Sequence, residues 1–161
     1  ERVVGLVAGY LARHGLLPEQ LPPEQRAYVR RVVEVLGERI KEGADVLRYG
    51  DFFFLETPRY EPQAVASYLQ GEQAAAVLQL AQQVAREVEP FAADTLEAAL
   101  RRAAAERGLS MRAVVHPVRV ALTGKTVGPG LFELMEVLGR ERVLRRLEHA
   151  VAVGAAAGSA V

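Results

Sequence analysis

Residues 94–139 read DTLEAALRRAAAERGLSMRAVVHPVRVALTGKTVGPGLFELMEVLG, and their punctuation predicts helix after helix. Asp94-Thr95-Leu96-Glu97 has the form of a capping box, in which side chains satisfy the free amides of a first turn. The helix it opens runs to Arg107, with Gly108 as a left-handed stop. Ser110 caps the next helix, which contains Pro117 and is expected to be kinked or irregular there. Gly124 ends it. Gly128-Pro129-Gly130 is a turn with proline placed to begin another helix, Leu131 to Leu138. Gly139 separates that one from a last helix over about Arg140 to Val153.

The same period extends towards the N-terminus. Val3, Val4, Val7, Tyr10 and Leu11 form one apolar stripe, stopped by His14-Gly15. Pro22-Pro23-Glu24 starts a helix whose stripe, Val29, Val32, Val33, Leu36 and Ile40, continues until Gly43. A short helix is expected from Asp45 to Tyr49, closed by Gly50 ahead of Phe52-Phe53-Phe54. Thr57-Pro58 breaks the pattern, and the best domain boundary falls near Thr57–Tyr60. Glu61-Pro62 opens a short helix to about Leu69, and an Ala- and Gln-rich helix follows from Glu72 to Glu89, closed by Pro90. The tail from Gly154 to Val161 has nothing evident to pack with and is expected to fray. No strand and no repeat is legible.

The chain has 161 residues and 17.5 kDa, half of them apolar. That allows one ordinary domain or two small ones, with a core that needs no covalent staple. The absence of cysteine excludes disulfides, thiolate zinc sites and cysteine nucleophiles. No apolar run approaches the ~18 residues of a membrane helix, and no charged-then-apolar signal opens the chain, so a soluble intracellular domain is expected. The first residue is Glu1 rather than Met, which suits a fragment or a processed product. Net charge is zero but unevenly spread. Residues 1–100 carry ten Lys/Arg against fifteen Asp/Glu, and residues 101–161 carry ten against five. Arg107 to Phe132 contains no acid yet holds Arg107, Arg112, Arg119 and Lys125. Such a stretch points to an anionic partner, or to an ordinary fluctuation in charge.

Catalytic chemistry is not legible. Gly124-Lys125-Thr126 imitates the end of a phosphate-binding loop, but the required earlier glycine is Arg119, and the preceding segment reads as helix where a strand is needed. His14, His116 and His149 lie on separate helices without metal-ligand spacing and read as cap or surface residues. Ser67, Ser110 and Ser159 fall mid-helix, at a cap and in the tail. No catalytic and no metal-binding residue is expected in this chain.

One segment is specific. His116-Pro117-Val118-Arg119-Val120-Ala121-Leu122-Thr123-Gly124, then Gly128-Pro129-Gly130-Leu131-Phe132-Glu133, then Leu138-Gly139-Arg140-Glu141-Arg142-Val143-Leu144-Arg145-Arg146-Leu147 resembles the end of bacterial glutamyl-tRNA synthetases, class I aminoacyl-tRNA synthetases. More loosely, Leu36-Gly37-Glu38-Arg39-Ile40-Lys41 followed by Phe52-Phe53-Phe54 resembles the segment before that family's last subdomain. The family's H-I-G-H and K-M-S-K-S nucleotide elements are absent; His14-Gly15-Leu16-Leu17 does not supply the first. The resemblance therefore implies the anticodon-binding region alone. It implies an all-α fold of two small subdomains, a helix bundle over 1–59 and a helical anticodon-binding cage over 60–161.

By the same resemblance, Arg119 matches an arginine used at the anticodon, where a guanidinium offers a planar donor fork to a base edge or phosphate. Pro129 and Leu131 match the segment that packs on unstacked bases, next to a helix start with free amides. Gly128 stands where relatives carry a hydroxyl residue, so a side-chain hydrogen bond is lost. Arg39 matches the arginine that checks an anticodon base in enzymes restricted to tRNA-Glu; relaxed enzymes that also charge tRNA-Gln tend to carry glutamine. An exposed helix residue paired with Glu42 is its bland alternative. Leu131 is expected on the RNA and Phe132 inside. Arg112, Lys125 and Arg145 are candidate phosphate contacts, and the run Arg140, Arg142, Arg145, Arg146 is read as a partly solvated face with Glu141–Arg145 pairing.

The implied partners are tRNA-Glu, through its anticodon loop and stem, and the catalytic domain of the same parent. That parent would use ATP and Mg in the cytoplasm; neither membrane nor DNA is implied, and a monomer is expected. The rival from another class is an all-helical protein-interaction module without RNA-reading activity, which the balanced charge and 6% aromatic content permit. Whether Arg39 and Arg119 face one common surface discriminates the two.

Overall fold

The computed structural model describes residues 2–159. Among these residues nine α-helices follow in order: α1 Arg2–Arg13, α2 Pro23–Leu36, α3 Asp45–Gly50, α4 Pro62–Tyr68, α5 Glu72–Glu87, α6 Ala93–Glu106, α7 Met111–Thr123, α8 Leu131–Leu138 and α9 Arg140–Ser159. There is no strand among the described residues, so the fold is all-α as expected. No described helix is long and apolar enough to cross a membrane.

α9 lies along α5 and also touches α4, α7 and α8. α5 in turn packs on α6 and α7, and α6 on α8. α2 packs against α1, α3 and α8, so α8 links the two halves of the chain. Each helix turns its apolar stripe inward: Val4, Val7 and Leu11 from α1, Val29, Val32 and Leu36 from α2, Leu96, Leu100 and Ala104 from α6. With Phe52, Phe53, Leu122, Leu134 and Leu147 these make one buried cluster running from Val4 to Ala150. Each fully buried Leu or Phe contributes about 1.5–3 kcal/mol relative to exposure.

Several expected boundaries move. α2 stops at Leu36 because Gly37 takes φ +58°, and a 3₁₀ turn, Gly37–Arg39, follows. Ile40 is still buried, but through that turn. The capping box does not form as read. α6 begins at Ala93, where Thr95 Oγ1 accepts from the Ala92 amide at 3.3 Å and Glu136 Oε1 of α8 accepts from the Ala93 amide at 2.8 Å. A carboxylate from another helix does the capping, and it also suits the positive end of α6. Ser110 and Gly124 act as expected, the first accepting from the Ala113 amide at 3.2 Å. α7 runs unbroken through the buried Pro117.

The tail is also corrected. α9 continues past Val153 to Ser159, and Gly154 is buried where a Cβ would run into the Leu69 carbonyl. Only the absence of a side chain lets α9 pass α4 this closely. Ala160 and Val161, the end of the expected frayed segment, lie outside the described residues.

Candidate nucleic-acid interface

Arg119 lies in α7 one turn before its end. Its Nη1 donates to the Pro129 carbonyl at 2.6 Å, across the turn joining α7 to α8. Gly128 sits against the same nitrogen, where a Cβ would stand 3.4 Å away. Burial pushes the Arg119 pKa down, and the charge of Arg39 adds to that push. Arg39 comes from the 3₁₀ turn after α2 and is exposed. In the loop that follows this turn, Asp45 Oδ2 accepts from the Lys41 and Glu42 amides at 2.9 Å each. Those two bonds hold the Asp45 carboxyl below the usual carboxylate range.

The charge of Arg39 is thus felt at Arg119, eighty residues further along the chain. Among the described residues, no carboxylate lies within ion-pair distance of either one. Like charges so placed repel, and an anion or a base acceptor between them relieves the repulsion. At the tip of the same turn, Val127 is 76% exposed. Sequence reading missed it, although an apolar residue in an acid-free turn outside any helical stripe was the available signal.

The turn is anchored by the segment between α3 and α4. Tyr60 Oη donates to the Ala121 carbonyl at 2.8 Å, and the Glu61 amide donates to the Gly124 carbonyl at 3.0 Å. Arg146 of α9 donates from Nη1 to Leu122 and from Nη2 to Leu55, both at 2.8 Å. The carbonyls that α7 leaves free in its last turn are therefore met by this strap and by one arginine. Burial pushes the Tyr60 pKa up to about 12 and the Arg146 pKa down to about 10, so Arg146 remains a cation at neutral pH. Gly124 takes φ +77° beneath the Arg59 carbonyl and has no room for a side chain.

Of the residues singled out in the sequence, Arg39, Arg119, Gly128 and Pro129 come together. Pro129 and Leu131 do not present base-stacking faces. Pro129 is buried and takes part through its carbonyl, and Leu131 is 3% exposed in the core. Phe132, expected inside, is half-buried and packs against the core. The turn enters α8 with position 131 on the core side, which periodicity over eight residues cannot decide. The start of α8 is also less open than expected, because the Glu133 carboxylate folds back against Gly130.

Lys125 is held 3.8 Å from Asp51 and 3.9 Å from Glu61. Arg112 is exposed at the far end of α7, and Arg145 is exposed on α9 beside Glu56, Thr57 and His149. The rest of the α9 run turns inward. Arg140 donates to the Ala85, Arg86 and Val88 carbonyls and pairs with Glu89, and Arg142 donates to the Leu138 carbonyl and the Tyr28 hydroxyl. Neither the expected Glu141–Arg145 pair nor the alternative Arg39–Glu42 pair is found among the described residues. The three histidines stay apart, stacked on or tilted over tyrosines, and no described His, Asp and Glu side chains gather as a metal site.

This is an all-helical domain in which, among the described residues, Arg39 and Arg119 have no carboxylate at ion-pair distance, and such a domain is suited to an anionic ligand. Residues 4–151 match the family described as the anticodon binding domain, and the chain belongs to it. Membership carries tRNA binding with it. Glutamate–tRNA ligase of Moorella thermoacetica is 38% identical over 150 residues, covering 93% of this chain and 31% of that protein. The same-named protein of Roseiflexus castenholzii is 38% identical over 162 residues, covering 100% of this chain and 32% of that one. The chain thus spans about a third of the length of these curated relatives. A crystal structure of a glutamate tRNA ligase from Elizabethkingia meningosepticum superposes with a TM-score of 0.80, covering 95% of this chain and 29% of that one at 22% identity. At that identity the likeness supports the all-helical fold.

Proposed function

We propose that this chain is the anticodon-reading part of a glutamate–tRNA ligase, and that it takes tRNA-Glu by its anticodon loop. The observation that carries this reading is that Arg39 and Arg119 act on one another by charge and, among the described residues, have no carboxylate at ion-pair distance. Single-stranded loops are where proteins read RNA sequence, because unstacked bases expose their edges and faces. Arg119, aimed by the Pro129 carbonyl, uses its remaining donors on one base edge or phosphate. Arg39, exposed and less constrained, tests a second base and favours tRNA-Glu over tRNA-Gln. Val127 supplies the apolar contact expected of Leu131. Arg112 and Arg145 contact phosphates, while Lys125 contributes mainly through its internal ion pairs.

The catalytic domain of the same parent would use ATP and Mg, acting in the cytoplasm, with this part as a monomeric anticodon-reading unit. The family match and the unpaired arginines favour this over a protein-interaction module. Titration of the chain into tRNA-Glu and into a transcript with a scrambled anticodon, at two salt concentrations, tests it. Tighter binding to the correct anticodon, weakened about tenfold by Arg119→Ala, is expected. Equal and strongly salt-dependent binding to both would reduce the edge to a phosphate-tracking surface. In the full-length enzyme, Arg39→Gln relaxes selection between tRNA-Glu and tRNA-Gln.

A further inference from the structure

Tyr68 closes α4 and His116 lies in the middle of α7, and their rings stack with centroids 5.1 Å apart and planes 18° from parallel. Both are half-buried, and with Ser110, Arg112, Ala113 and Pro117 they line an open cavity of about 300 Å³. The lining contains no acid, and exposed Arg112 stands at it. His116 Nδ1 is buried without a hydrogen-bond partner, so no hydrogen bond through that nitrogen fixes the ring. Arg112, His116 and Arg119 are spaced by four and three residues and so share one face of α7. The helix rise puts Arg112 about 10 Å from Arg119 along the axis, roughly three stacked-base spacings of about 3.4 Å.

We propose that the Tyr68–His116 pair is a second base-stacking platform, which holds one unpaired loop nucleotide outside the anticodon triplet while Arg112 takes its phosphate. The proposal rests on the reading that the Arg119 edge takes a tRNA anticodon loop. A cavity of this size is at the small end of ligand pockets and suits a single base rather than an extended ligand. An aromatic face with a neighbouring cation recurs where proteins hold single-stranded RNA, and it accepts any base because every base has a π-face. The acid-free lining matches a ligand that carries negative charge.

The test uses hairpins of the tRNA-Glu anticodon arm with 2-aminopurine placed singly at each unpaired position outside the triplet. On binding to the 161-residue chain, fluorescence at one position is expected to change. That change is lost in Tyr68→Ala, retained in Tyr68→Phe and reduced in Arg112→Ala, with about tenfold weaker binding for the first and third. Preference for the correct anticodon persists in all three variants. If no position responds in a Tyr68-dependent way while Arg119→Ala still abolishes anticodon preference, the platform is overturned and the anticodon reading stands. If the hairpins do not bind at all, both readings fail. Because Arg112 is exposed, its substitution separates loss of the platform from loss of the fold.

Discussion

Arg140, Arg142 and Arg146 sit within seven residues of one helix, whereas Arg39 and Arg119 are eighty residues apart. On sequence the α9 run looks like the stronger nucleic-acid surface. In the fold the order reverses. These α9 arginines donate to eight carbonyl, hydroxyl and carboxylate groups of the chain itself, on Ala85, Arg86, Val88, Glu89, Leu138, Tyr28, Leu122 and Leu55. Among the described residues, the Arg119 side chain makes one bond to a carbonyl and Arg39 has no ion pair. Density of arginine along the chain therefore says little about ligand binding; the number of donors left without an internal acceptor says more. A guanidinium presents five donors, so one side chain can close several orphan carbonyls at once, and α9 uses its arginines for that.

Substitutions on the two sides should separate. Arg146→Ala leaves the Leu122 and Leu55 carbonyls without their partner and is expected to cost about 3 kcal/mol, read as a lower denaturation midpoint. The anticodon preference of the molecules still folded should persist; its loss would merge the two sets. Gly124→Ala meets the Arg59 carbonyl at φ +77° and should cost about 2 kcal/mol in the same measurement. Arg119→Ala should instead move affinity for the correct anticodon by about tenfold while stability shifts by less than about 1 kcal/mol.

A smaller effect should appear at alkaline pH. Tyr60→Phe removes the bond to Ala121, worth about 1 kcal/mol at neutral pH. The folded phenol is pushed up to about 12 by burial, so the unfolded chain ionises first, from its ordinary value of 10.0. The advantage of the native tyrosine over phenylalanine is complete below pH 10 and shrinks as pH rises towards 12. Denaturant titrations at pH 8 and pH 11 check it; a constant difference would mean that Tyr60 titrates alike in both states. Smallest of all, Arg145→Ala should leave stability within about 0.5 kcal/mol and weaken correct and scrambled RNAs alike, lowering the salt slope by about one.

Much of the helical order was legible locally. Ser110, Gly124 and Gly139 act at the positions where they stand, because caps and left-handed stops depend on a few neighbouring residues. The capping box failed for the opposite reason. Besides the local Thr95 hydroxyl, the start of α6 uses Glu136, forty-three residues from Ala93, and no local pattern announces that carboxylate. The two ends of the Arg39–Arg119 edge were found in sequence, while the exposure of Val127 and the burial of Leu131 were not.

The all-helical class, the family resemblance and the acid-free stretch were readable from the residues alone, since periodicity, turn residues and local charge are properties of short segments. Which cations stay available was settled by packing. Lys125 is claimed by Asp51 and Glu61, Arg146 by Leu55 and Leu122, and Arg119 is left with donors to spare. Those partners lie from 10 to 91 residues away along the chain, and hydrogen bonds and ion pairs depend on distance in space.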